Sequence, residues 1–496
     1  MTLRNFITTL ALLFGLPFAL TAAPAAQQAL PLPAALQRPW QQTQLKLDHA
    51  SIVVQEAGSQ TPLLSLHPDV PRNPASVMKL VTTWAGLSAL GANWRWRTEL
   101  LMDEDARIAA DGTLSGPLYI RAGADPALTV ENLWALLRDL RLRGVRHLND
   151  VVADRSIFGE IATDPQAFDA SGDRPYNASP DALMVNWGAV RIGFMADDKA
   201  KKWWPVLVPP VRGLSLSGHL AWMDGPCPAY PQYKVQLKEA DGEPGRQRQL
   251  VLSGAVAGAC GNFSVYRLAQ SQTLHFETLF RTLWQELGGT WGAEKAGDTE
   301  AGTQPGMRQG TVPDGAQTLV WHDSPALIEV IRAINKYSNN VMARMLLLTL
   351  GVQAQGAGAT VQVSAESALH LLREQGMDTE GWHIANGAGL SRTARLTAGS
   401  LAQMLALAWD SPLMPEFVSS LSIVGVDGTL ADRLRTSSAK GTAHLKTGTL
   451  RDVQALAGYV RAASGKRYAV VSLVNHTQGA DLTRFHDALI RWVGRQ

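Results

Sequence analysis

The chain of 496 residues holds only two cysteines, and its eleven histidines never fall four residues apart. H-E-x-x-H is absent, so the sequence offers no helical zinc pair of the metalloprotease kind. No serine stands in G-x-S-x-G, the turn that displays the nucleophile of α/β-hydrolases. There is no Lys/Arg-rich block and no zinc-finger spacing, and the formal net charge is only +2. A polyanionic partner would need a stronger electrostatic footprint, so no nucleic-acid function is expected. We expect neither a metal nor a cofactor. Past the N-terminus no segment is long and apolar enough to span a bilayer, and the mature chain is expected to lack an integral membrane segment.

The N-terminus itself is informative. "MTLRNFITTLALLFGLPFALTAAPAAQQ" carries one cation, Arg4, then an apolar stretch from about Phe6 to Leu20, then small residues through Ala26. This is the pattern of a secretory signal peptide, assigned to 1–25 and cleaved after Ala22 or Ala25. Export to the periplasm follows as an expectation. The remaining composition is 46% apolar and 18% charged, which is globular and sufficient for two to four domains. An exported chain with one cysteine pair favours a disulfide between Cys227 and Cys260, two buried thiols being the alternative. Such a bridge would stabilise the fold by roughly 3–4 kcal/mol in the chain-entropy treatment.

A Pro/Gln-rich linker is read to about residue 43. "ASIVVQEAGSQTPLLSLHPD" reads as two strands, and "LAGYVRAASGKRYAVVSLVN" as a hairpin turning at Ser464-Gly465. A last amphipathic helix is predicted from about Asp481 to Val493. Between them the texture shifts to short alternating runs separated by Gly, Pro and Asp. We therefore expect a discontinuous main domain at 26–97 and 273–496. One inserted domain is expected at 98–190 and 250–272, and a second, β-rich one at 191–249.

Three short motifs carry the chemistry. "RNPASVMKLVTT" places Ser76 three residues before Lys79, with Asn73 suited to an N-cap and Pro74 to the first helical position. S-x-x-K arises by chance about once or twice in a chain this long, and Ser437/Lys440 is a second match. The context decides: S-x-N occurs once, at Ser338-Asn339-Asn340, and K-T-G once, at Lys446-Thr447-Gly448. The order S-x-x-K, S-x-N, K-T-G is that of the β-lactamase and penicillin-binding enzymes.

The residue types suit acyl transfer. On a helix, Ser76 and Lys79 point the same way, so an amine can reach the hydroxyl. Lysine must lose its proton to act as a base, which burial, a helix N-terminus or a second cation such as Lys446 would favour. Ser338 can carry a proton to a leaving amine, and Asn340 can hold a substrate amide. Lys446 and Thr447 offer charge and a hydroxyl to a terminal carboxylate. Gly448 is read as opening an edge strand to a substrate backbone. The amides of Ser76 and Thr449 would form the oxyanion hole.

Ser76 and Ser338 lie 262 residues apart, a gap that holds the inserted region. With "NPASVMKL", "GADP", "DRSIF", "SNNVMARMLL", "NGAGLSR", "VGVDGTLADRL" and "KTGTL", the chain resembles the class C penicillin-binding proteins. These are D-alanyl-D-alanine carboxypeptidase/endopeptidases of bacterial cell walls. The resemblance implies an α/β (α+β) transpeptidase-like domain, with a five-stranded antiparallel sheet flanked by helices and small domains inserted after the Ser76 helix. It implies catalytic roles for Ser76, Lys79, Ser338, Asn340 and Lys446. Asp154, Phe158 and Arg392 match positions that recognise the diamino-acid side chain of a stem peptide. Arg451 departs from the pattern, replacing a neutral amide residue by a cation. The implied partners are peptidoglycan stem peptides and, as covalent inhibitors, β-lactams; a homodimer stays open.

The expected function is thus a serine-type D-Ala-D-Ala carboxypeptidase/endopeptidase working through an acyl-enzyme. A β-lactamase or D-amino-peptidase with the same parts is one alternative. A non-catalytic wall-binding or β-lactam-sensing protein is another, but it would be marked by a damaged motif.

Overall fold

Runs rich in Val, Ala and Leu near both ends of the chain form one antiparallel sheet. Its order is Ser422–Ile423, Ala443–Leu450, Val453–Arg461, Arg467–Asn475, Ala50–Glu56, Pro62–Leu66. The computed structural model describes residues 32–496 except 60, 230–231, 240–246, 293–305 and 478, so the expected signal peptide lies outside the described residues. The five expected strands are present, and the two-residue edge Ser422–Ile423 adds a sixth. Strand Ala50–Glu56 pairs with Arg467–Asn475, Ile52 opposite Ser472, so the two ends of the chain meet in mid-sheet.

Both faces of the sheet are covered, and side-chain alternation sorts them. Ala455, Ala457, Tyr459 and Val471 pack against the helices Met78–Leu90, Leu327–Tyr337, Asn340–Gln355 and Ala398–Asp410. Leu456, Val460, Val470 and Val474 face the C-terminal helix Thr483–Val493. A short helix, Ala34–Gln41, joins that second layer, where Trp40 meets Phe485 edge-on at 5.0 Å. This stretch was expected as linker. Leu32, Leu36 and Trp40, four residues apart, give it a buried stripe despite Pro39.

The insertion has its own sheets. Arg97–Met102, Leu118–Arg121, Val151–Asp154, Arg308–Gln309 and Gln317–Asp323 form one of five strands. A three-stranded sheet joins Val190–Asp197, Lys202–Val208 and Phe263–Arg267. A four-stranded one joins Leu214–Gly218, Ala221–Met223, Gln232–Glu239 and Arg248–Ala257. Cys227 and Cys260 are bonded, as expected, 33 residues apart. These sheets share one apolar cluster with the helix Gln272–Glu286. The expected return to the main domain at 273 is therefore corrected. Residues through Asp323 pair with the inserted sheet, and the chain rejoins the catalytic layer at the helix beginning Leu327.

Candidate active site

The nucleophile helix begins as a single 3-10 turn, Ala75–Val77, that continues into Met78–Leu90. Ser76 thus sits in the tight turn and Lys79 in the first α-helical turn. Ala75 adopts φ 45°, a left-handed backbone that costs an alanine about 1–2 kcal/mol. Asn73 holds this geometry, accepting from the Ala75 amide at 2.9 Å and donating to the Ser391 carbonyl at 2.7 Å. The cap position, expected at Asn73, falls one residue later at Pro74.

Lys79 has no accessible surface. Its Nζ lies 2.9 Å from Ser76 Oγ, 2.7 Å from Asn340 Oδ1 and 2.6 Å from the Ala388 carbonyl. Burial, then the cations Lys446 and Arg344, hold its pKa well below that of an ordinary lysine. A neutral Lys79 can receive the proton of Ser76. The decoy pair offers nothing similar: Lys440 is exposed, and Ser437 Oγ accepts from the Ala439 amide in a surface turn.

The long apolar run after Pro325 is two helices, broken where Ser338 takes φ 58° and ψ 37°. Asn339 caps the second helix by accepting from the Met342 amide at 3.1 Å, so Asn340 opens that helix facing Lys79. The Asn340 amide nitrogen donates to the Tyr176 carbonyl at 3.2 Å, which turns its oxygen towards Lys79. Lys446 is also fully buried, and burial lowers its pKa to about 7. It donates to Ser338 Oγ at 3.0 Å and to the Thr447 carbonyl at 2.7 Å.

The K-T-G strand has an open outer edge. Ser422–Ile423 pairs only with Leu445 and His444, so among the described residues no strand covers Lys446–Leu450. Thr447 Oγ1 is 3.0 Å from Thr429 Oγ1, and Thr449 is exposed. Gly448 has a packing reason that the sequence did not show. A Cβ there would meet the Pro74 carbonyl at 2.7 Å and the Ser76 amide nitrogen at 3.0 Å. The glycine lets the strand press against the turn that carries Ser76. It also brings the backbones that carry the Ser76 and Thr449 amides together.

The four recognition positions fare unequally. Asp154 is 9% exposed, and its carboxylate accepts from the Ser156 amide and hydroxyl at 2.9 and 2.6 Å and from the Val312 amide at 2.8 Å. Burial acts to raise its pKa, but these bonds outweigh it and the net shift is downward. Phe158 is 6% exposed in the core of the insertion. Both side chains are thus held by the insertion, and neither bonds into the Ser76–Lys79–Asn340 network. Arg392 is exposed, with Nη1 2.6 Å from Asp452 Oδ1 and its guanidinium 4.7 Å from the Phe168 ring centre. Arg451 lies in the turn after the K-T-G strand, not on it, and is exposed.

Sequence reasoning missed the Ala388 and Tyr176 carbonyls and Arg344. Ala388 sits in a turn tightened by Asn386, whose Oδ1 accepts from the Ala388 and Gly389 amides at 3.1 and 3.2 Å. Gly389 is obligatory there, since a Cβ would lie 1.8 Å from the Ala75 carbonyl. "NGAGLSR" was read as a resemblance, and no side-chain pattern marks a carbonyl ligand. Arg344 carried a visible signal: it stands four residues after Asn340 on one helix.

The model of the D-Ala-D-Ala carboxypeptidase 3 (S13) family matches residues 32–496. The chain belongs to this family. It is 29% identical over 420 residues to a D-alanyl-D-alanine carboxypeptidase of Actinomadura sp. (strain R39), covering 81% of this chain and 73% of the relative. It is 24% identical over 411 residues to D-alanyl-D-alanine carboxypeptidase DacB of Haemophilus influenzae, covering 82% and 81%. The crystal structure of penicillin binding protein 4 from Haemophilus influenzae superposes with a TM-score of 0.70. It covers 90% of this chain and 96% of that one at 20% identity, which shows a shared fold.

Proposed function

We propose that this S13 protein is a serine-type D-Ala-D-Ala peptidase that cleaves peptidoglycan stem peptides, and their cross-links, through an acyl-enzyme on Ser76. The observation that carries the reading is the buried Lys79 amine 2.9 Å from Ser76 Oγ, its pKa held well below the usual lysine range by burial and two nearby cations. Ser76 Oγ bonds to the carbonyl carbon of the penultimate D-alanine while its proton passes to Lys79 Nζ. The tetrahedral oxyanion lies against the Ser76 and Thr449 amides. The peptide C–N bond then breaks, and Lys79 passes the proton it took from Ser76 through the Ser338 hydroxyl to the leaving amine, which returns Lys79 to its neutral form. Lys446 bonds to Ser338 and orients that hydroxyl. Water attacks the ester and gives a proton to Lys79, which returns it to Ser76 Oγ as the shortened peptide leaves, so serine and lysine are both restored.

A leaving D-alanine gives the carboxypeptidase reaction and a leaving cross-link amine gives the endopeptidase reaction; the acyl step is common to both. The open edge at Lys446–Leu450 accepts the substrate as an added strand. A β-lactam presents its ring carbonyl to the same serine. Among the described residues no Asp or Glu bonds to Ser76 or Lys79. The site of action is the periplasm, and a homodimer is compatible with this reading.

Intact-mass and peptide-mapping mass spectrometry after exposure to a labelled penicillin tests the assignment. One adduct, on Ser76, is expected, and Ser76→Ala should abolish it. An adduct on Ser437, or none, overturns the reading.

A further inference from the structure

Arg344 is a largely buried cation without a counter-ion. Its Nη1 donates to the Ala178 carbonyl at 3.0 Å, its Nε is inaccessible and unbonded, and no carboxylate among the described residues pairs with it. A cation held this way is costly unless it is used. The carbonyl it grips belongs to the inserted region, 166 residues earlier in the chain. The neighbouring Tyr176 carbonyl accepts from Asn340. This loop is itself well tied. Asp169 accepts from the Tyr176 hydroxyl at 2.8 Å and from the buried Asn177 amide at 2.7 Å, and Asn177 also donates to the Ser171 carbonyl at 3.0 Å. At the loop's start, Phe168 lies under Arg392.

We propose that Arg344 is a positioning residue: it fastens the loop Phe168–Ala178 to the helix that carries Asn340, and it sets an unneutralised cation near Lys79. The loop then orients Asn340. With its nitrogen committed to the Tyr176 carbonyl, the amide must present its oxygen to Lys79. The inserted region thereby supplies part of the catalytic geometry rather than only a wall. The charges acting on Lys79 are Lys446 from the K-T-G strand and Arg344 from the helix, both favouring the neutral amine.

This inference rests on Lys79 serving as base for Ser76. The test is the rate of acylation by a fluorescent penicillin against pH, for wild type, Arg344→Gln, Arg344→Lys and Asp169→Asn, with thermal unfolding of each. Lys79 must be neutral to act, so the rate rises with pH through its pKa, and removing a neighbouring cation raises that pKa. Arg344→Gln should move the acid limb up by roughly 0.5–1 pH unit, with about 3–10-fold slower acylation on that limb. Arg344→Lys should keep the limb in place and lose rate through the looser loop. Asp169→Asn should also slow acylation without moving the limb. An unmoved limb in folded Arg344→Gln overturns the electrostatic role, and Asp169→Asn at wild-type rate overturns the loop's role. Should Arg344→Gln not fold, a limb displaced in Arg344→Lys overturns the proposal and an unmoved one with reduced rate upholds it. Wild type without an adduct on Ser76 would instead remove the peptidase reading.

Discussion

Lys446 Nζ stands 3.0 Å from Ser338 Oγ, so the cation proposed to meet a substrate carboxylate also holds the serine proposed to relay the proton. Burial lowers its pKa to about 7, while Lys79 is lowered well below its usual range. Two buried lysines are thus needed in opposite states, one neutral and one charged.

That arrangement predicts a bell-shaped pH dependence of kcat/KM. Activity should rise as Lys79 loses its proton. It should fall as Lys446 loses its own, at about pH 7, because kcat/KM reports the free enzyme. A substrate with an amidated C-terminus, or Lys446→Gln with any substrate, should lack the alkaline limb. An alkaline limb that persists in Lys446→Gln would assign it to another group.

The same burial has a cost in stability. Lys446 is protonated in the unfolded chain up to about pH 10 but only up to about pH 7 in the folded one. Its penalty is therefore complete below pH 7 and relieved as pH rises towards 10. Lys446→Met should stabilise the fold at pH 6 by roughly 1–4 kcal/mol, less the bonds lost to Ser338 and Thr447, while suppressing activity. The gain should shrink at pH 9. Thermal unfolding at both pH values measures it, and a lower Tm at pH 6 would contradict the account.

Gly448→Ala tests the contact between strand and nucleophile turn. The added methyl would sit 2.7 Å from the Pro74 carbonyl and 3.0 Å from the Ser76 nitrogen, and backbone cannot swing aside as a side chain would. We expect acylation at least tenfold slower, with a stability loss of about 1–3 kcal/mol typical of overpacking. Acylation at the wild-type rate would mean that the strand yields without disturbing Ser76.

The sequence made the main sheet, the helix of Ser76 and the grouping of Ser76, Lys79, Ser338, Asn340 and Lys446 legible, because each motif is local and its residues face one another across few elements. Ser338 was legible as a residue but not as a helix break, since the apolar period runs on unbroken through "INKYSNNVMARM" and only the left-handed backbone at 338 interrupts it. The return from the insertion was misplaced because the helix Gln272–Glu286 has an amphipathic period that does not say which sheet it covers. The bonds of Asp154 were hidden for a related reason. A carboxylate two residues before Ser156 is as well suited to closing its own turn as to meeting a substrate amine, and here it also binds Val312 across 158 residues. Arg344 and Ala178 meet only through tertiary folding, which no spacing announces.

The last prediction concerns the side chain of the stem peptide. Asp154 is committed to Ser156 and Val312, whereas Asp452 is exposed and paired with Arg392 at 2.6 Å. If Arg392 receives a substrate carboxylate, Asp452 competes for the same guanidinium. Asp452→Asn should then raise kcat/KM about 3–10-fold for a peptide with free diaminopimelate, in line with the roughly 1 kcal/mol of an exposed charge pair. The amidated and lysine forms should change little. Arg451, exposed in the turn, reaches none of these groups by a hydrogen bond, and Arg451→Gln should alter all three peptides less than twofold. The measurement is kcat/KM for the three peptides with wild type and both variants. Equal values throughout would remove the side-chain pocket and leave recognition to the strand edge, Lys446 and Thr447. A rise confined to the lysine peptide would show that Arg392 is not the carboxylate's partner.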